Sequence, residues 1–72
     1  MAATDKTIGQ RLTELRGERT MEEVAAALAI SRSSLSMYEN DKRIPRDEIK
    51  IRIADYYKVT VDSLFLKNYH ET

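Results

Sequence analysis

Apolar residues return along this chain in steps of three and four with polar residues between them, which predicts helices rather than strands. Ile8, Leu12 and Leu15 are spaced i, i+4, i+7. Thr7 precedes them with Gln10 three residues on, the spacing of a capping box, and Gly17 follows as a left-handed terminator. A second helix is predicted after Thr20, where Glu23 repeats the box spacing and Val24, Ala25 and Leu28 form one stripe. Ala29-Ile30 makes a tight turn, and Ser31 is placed to cap a third helix. Leu35 and Tyr38 give that helix its inward face. Arg32, Ser33, Ser36 and Met37 are left off it.

Beyond the third helix, Asn40-Asp41-Lys42-Arg43-Ile44-Pro45 is a polar turn whose proline blocks helix continuation. Ile44, its apolar member, is expected to tuck into the core. A fourth helix is predicted from Arg46 or Asp47 to Tyr57, with Ile49, Ile53, Ala54 and Tyr57 buried and acidic residues in its first turn. Ile51 lies about 160° from Ile53 and should stand outside that stripe. A short fifth helix, capped by Thr60, carries Val61, Leu64 and Phe65. The expected organisation is one domain over residues 1–72, with residues 1–6 a mobile arm, 7–66 a helical core and 67–72 a C-terminal tail. Leu66 and Tyr69 give its end more apolar matter than a bare tail needs.

Two short helices around a tight turn, the second pinned by few core residues and polar outside, have the form of a helix-turn-helix reading head for the DNA major groove. Composition narrows the rest. Two glycines and one proline argue for all-α structure. With no cysteine and His70 as the single histidine, disulfides, thiolate sites and multi-histidine metal sites are excluded, and no cofactor is expected. No apolar run approaches the ~20 residues of a membrane span. The N-terminus lacks a signal-peptide core, so a cytoplasmic protein is expected. Neither a nucleophile-base pattern nor a glycine-rich phosphate loop is present, which points away from an enzyme. The formal net charge is zero, but phosphate binding depends on distribution. Residues 1–20 carry +1, 21–30 carry −2, 31–46 carry +2 and 47–72 carry −1. The most basic stretch is the proposed reading helix and the loop after it.

With five helices in this order, the chain resembles the Cro/CI-type (XRE-like) helix-turn-helix family of phage repressors and bacterial regulators. The resemblance rests on Ile8-Gly-Gln-Arg-Leu-Thr-Glu-Leu-Arg16, Thr20-Met-Glu-Glu-Val-Ala25, Ile30-Ser-Arg-Ser-Ser-Leu-Ser-Met-Tyr-Glu-Asn40 and Lys42-Arg-Ile-Pro45. Ile53-Ala54 and Val59-Thr-Val-Asp-Ser-Leu-Phe65 complete it. It implies a compact, all-α, five-helix, lambda-repressor-like domain that binds double-stranded DNA. In the family's pattern Arg32, Ser33 and Met37 face base edges, with Ser36 nearby. Thr20, Met21, Ser31, Asn40, Lys42 and Arg43 fall at phosphate-contacting positions. Arg16 and Glu39 match a structural pair tying the first helix to the third.

Three positions depart from the family's pattern. Ala29 and Asp41 stand where it has glycines, and Met21 stands where glutamine is usual. The link between the first two helices is about two residues shorter. The reading favoured is a repressor acting as a homodimer, with Ile51, Val61, Phe65, Leu66 and Tyr69 as candidate dimer surface and a regulatory partner protein as a further possibility. The rival is an antitoxin-like or adaptor module that chiefly binds another protein.

Overall fold

The computed structural model describes residues 6–65, and these form five α-helices with no strand among them. They are α1 (Ile8–Arg16), α2 (Met21–Leu28), α3 (Arg32–Glu39), α4 (Asp47–Tyr57) and α5 (Val61–Phe65). Residues 1–5 of the expected N-terminal arm and the tail from Leu66 onward, including Tyr69, lie outside the described residues.

Four of the five helices start where the sequence places a hydroxyl. Thr7 and Gln10 close a full capping box on α1, each side chain bonded to the other's backbone N–H. Thr20 Oγ1 accepts from the Glu23 N–H at 3.0 Å, and the α2 cap has that half of the box alone among the hydrogen bonds described. Ser31 Oγ accepts from Ser34 N–H and Thr60 Oγ1 from Ser63 N–H, both at 3.0 Å. α4 has no side-chain cap, and Asp47 and Glu48 in its first turn favour the dipole instead.

The helix ends follow a second rule. α2, α3 and α4 all finish in paired turns in which a left-handed residue donates back three residues and the next donates back five. Ala29 and Ile30 bond to Ala26 and Ala25, Asp41 and Lys42 to Tyr38 and Met37, Lys58 and Val59 to Asp55 and Ala54. This is the Schellman arrangement, and it satisfies carbonyls that a helix end otherwise leaves free. Glycine usually holds the left-handed position, yet here Ala29, Asp41 and Lys58 take φ of 59°, 60° and 61°. The turn after α2 is therefore not adjusted to suit alanine. It keeps left-handed geometry and bears the strain.

The packing closes into a ring: α1 on α3, α3 on α2, α2 on α4, α4 on α5, and α5 back on α1. Leu12, Val24, Leu28, Leu35 and Ile53 are sealed at its centre, with Ala25, Tyr38 and Leu64 beside them. Removing one such leucine costs about 2–5 kcal/mol, a large share of the ~5 kcal/mol a domain of this size holds. Polar ties cross the ring as well. Arg11 Nη1 donates to the Ser63 carbonyl at 2.6 Å, and Arg52 Nη1 donates to the Leu28 carbonyl at 2.8 Å.

One core assignment is overturned. Ile44 is 65% exposed, and Pro45 is buried in its place. A residue before proline is held to extended backbone, where successive side chains point opposite ways. Turning the proline ring inward therefore turns Ile44 out. Ile51, 56% exposed, stands outside the α4 stripe as the helical step requires.

Candidate nucleic-acid interface

α3 is held from behind by α1. Glu39 is buried, and Arg16 grips it with two donors, Nε to Oε2 at 2.8 Å and Nη2 to Oε1 at 3.1 Å. Such a fork-to-carboxylate pair fixes direction as well as distance. Hydrogen bonding to Glu39 raises the pKa of Arg16 above its ordinary value. Thr13 Oγ1 also lies 3.3 Å from Glu39 Oε1. Arg16 Nη1 donates to the Arg19 carbonyl at 2.9 Å while the Arg19 N–H donates to the Arg16 carbonyl. That closes the short link between α1 and α2.

The two helices meet most closely at Gly9. A Cβ there would overlap the Glu39 carbonyl oxygen, so only glycine admits this approach. The Gly9 N–H in turn donates to Asp41 Oδ1 at 2.9 Å. Asp41 thus has a structural contact as well as a left-handed backbone. Its carboxylate is engaged by the N-terminus of α1, where the helix dipole favours an anion.

α3 buries Leu35, Tyr38 and Glu39 and turns the opposite face outward. On that face Arg32, Ser33, Ser36 and Met37, joined by Met21 of α2, line one open concavity of about 390 Å³. The base-facing candidates are thus brought together. Met37 is 42% exposed, which places it in this concavity rather than under α1. Met21 is partly buried against the core, so its thioether anchors α2 at the concavity's rim.

The backbone-facing candidates divide. Thr20 and Ser31 are exposed, with their hydroxyl oxygens already used as helix caps. Asn40 Nδ2 donates to the Ser36 carbonyl at 2.8 Å, which fastens its amide to α3. Lys42 and Arg43 are exposed and make no ion pair among the described residues. Most other cations have structural work. Arg11, Arg16 and Arg52 tie elements together, Arg19 lies over the Tyr56 and Tyr57 rings, and Lys50 lies over Phe65. A neutral total charge therefore leaves Arg32, Lys42, Arg43 and Arg46 clustered in sequence on α3 and the loop behind it.

The family model described as helix-turn-helix matches residues 12–64, most of the chain. It spans the α2-turn-α3 unit and the helices that brace it. The chain belongs to the Cro/CI-type helix-turn-helix family. It is 34% identical over 64 residues to the HTH-type transcriptional regulator ImmR of Bacillus subtilis (strain 168), an alignment covering 86% of this chain. The chain spans 50% of that relative's length.

Set against the helix-turn-helix pattern, two residues carry weight that sequence reasoning missed. Glu22 Oε2 lies 3.1 Å from Arg32 Nε, bridging the first turns of α2 and α3. Glu23 was legible as the capping-box partner of Thr20, but the reach of Glu22 across the turn was not. Gly9 is the other. It reads as one weak helix former, and nothing local announces a close approach to a helix two elements on. Among the described residues no cluster of His, Cys, Asp or Glu could hold a metal ion, and no helix is long and apolar enough to cross a membrane.

Proposed function

We propose that this chain is the DNA-reading module of a transcriptional regulator, with α3 lying in the major groove of double-stranded DNA. The observation that carries the reading is the shared concavity of Arg32, Ser33, Ser36 and Met37 on the outer face of a helix whose inner face is buried. Arg32 is the base reader, because its planar fork suits O6 and N7 of guanine. The serine hydroxyls accept or donate and discriminate little, and Met37 packs on a thymine methyl. Thr20, Met21, Ser31 and Asn40 flank the phosphates, and Lys42 and Arg43 supply the charge there. Arg16 and Glu39 set the angle at which α3 is presented. The similarity to a protein named as a transcriptional regulator supports the same reading.

One such module makes few base contacts, so the active form is a homodimer on a symmetric operator with half-sites about 34 Å apart. Of the described candidates for the dimer surface, Ile51 on α4 is exposed and seeds it, and Val61 and Phe65 on α5 are half-buried. Repression is the simpler mode, since it needs only occupancy of the operator. The adaptor reading has one observation in its favour, the formal net charge of zero.

Selection of bound duplexes from a random library, with the mass of the complex measured, tests the proposal. A two-fold symmetric motif carrying two chains is the expected result, and failure to enrich any sequence overturns it. On the selected duplex, Arg32→Ala relaxes preference at one position per half-site, a loss of roughly 1–3 kcal/mol. Lys42→Ala and Arg43→Ala weaken binding to every duplex alike. Equal losses for Arg32→Ala on selected and random DNA would reassign that arginine to the backbone.

A further inference from the structure

Asp41 is an acid among cations. It directly precedes Lys42 and Arg43 and takes the left-handed turn after α3 at φ 60°. Glycine holds such a backbone without strain and without a charge that repels phosphate. What aspartate has and glycine lacks is an acceptor. Asp41 Oδ1 accepts from the Gly9 N–H at 2.9 Å, and that N–H is one of the first-turn donors that no carbonyl of α1 can satisfy. The second carboxylate oxygen is close as well, since a Cβ on Gly9 would stand 2.9 Å from Asp41 Oδ2. The bond joins residues 32 apart in sequence, so it is a tie between elements and not a local turn contact.

The loop after α3 is thereby held at both ends. At its start α1 holds the Asp41 side chain, and the Asp41 and Lys42 N–H groups donate to the Tyr38 and Met37 carbonyls. At its end Pro45 is buried. Between them, the Arg43 and Ile44 N–H groups donate to no backbone carbonyl among the described residues. We propose that Asp41 is a positioning residue for phosphate binding: its bond to α1 fixes the start of the loop and lowers the cost of ordering Lys42 and Arg43 against DNA. This rests on the DNA-reading role given above.

Asp41→Asn and Asp41→Gly remove the same charge and differ in the acceptor. Asparagine keeps a side-chain oxygen for the Gly9 N–H and tolerates the left-handed turn, whereas glycine keeps the turn alone. Affinity for one random duplex is measured at several salt concentrations, well below the Tm of each variant, with circular dichroism verifying the fold. The Asn variant is expected to bind at least as tightly as wild type. The Gly variant is expected to bind about two- to tenfold more weakly than the Asn variant, the range of one hydrogen bond. That gap persists as salt rises, because salt screens charge and not ordering. It closes when Lys42→Ala and Arg43→Ala are both present. Hydrogen exchange at the Gly9 amide is slow in wild type and Asp41→Asn and faster in Asp41→Gly. Equal affinities of the two variants, or equal exchange in all three chains, overturn the proposal. A gap that survives removal of both cations also overturns it, because the bond then acts on the α1–α3 packing as a whole. A wild-type chain that binds no duplex at low salt overturns the DNA-reading role itself, a separate outcome from any of these.

Discussion

Tyr57 carries a hydroxyl sealed from water with no hydrogen-bond partner among the described residues. Burial, with the negative charge of Glu39 adding to it, pushes its pKa from the ordinary 10.0 up to about 12. The unfolded chain ionises this phenol first as pH rises, so the unfolded state gains and the folded state does not. Stability that Tyr57 contributes below pH 10.0 is therefore lost as pH climbs towards about 12. Tyr57→Phe removes both the orphaned hydroxyl and this titration. The variant is expected to be more stable than wild type at neutral pH by up to about 1 kcal/mol. Its advantage should widen between pH 10.0 and about 12 in denaturant unfolding. An advantage that stays constant over that range would contradict the assignment. No reading of residue types could anticipate this orphan, because it arises from what lies above one atom.

At the scale of elements, local chemistry was legible and long-range contact was not. Thr7, Thr20, Ser31 and Thr60 mark four helix starts because a hydroxyl one residue before a helix has a single nearby task. The tie between Arg16 and Glu39 spans 23 residues, and it could be named beforehand only through the family resemblance. Ile44 was misjudged because hydropathy ranks isoleucine above proline, whereas the constraint that proline sets on its neighbour decides which of the two turns inward. The helix ends yield a prediction of their own. Ala29 holds a left-handed conformation at φ 59° that costs an L-residue free energy glycine does not lose. Ala29→Gly should raise stability by about 1 kcal/mol, moving Tm up by roughly 4–8 °C for a domain of this size. A lower Tm would mean that the methyl group contributes more than the backbone strain takes away.

For the whole molecule, the ring of five helices does one thing to the distribution of charge. It engages Arg11, Arg16, Arg19, Lys50 and Arg52 in structural contacts and leaves Arg32, Lys42, Arg43 and Arg46 on or just after α3. A chain with no net charge can thus bind a polyanion, provided Lys42 and Arg43, which make no ion pair among the described residues, meet the phosphates together. That is the central claim, and the salt dependence of binding tests it most directly. With Lys42 and Arg43 each neutralising a phosphate, a plot of log K against log salt for duplex DNA should fall with a slope of about −2 per bound chain, or about −4 for a dimer. Binding that is absent at low salt, or that does not change as salt rises, would contradict it.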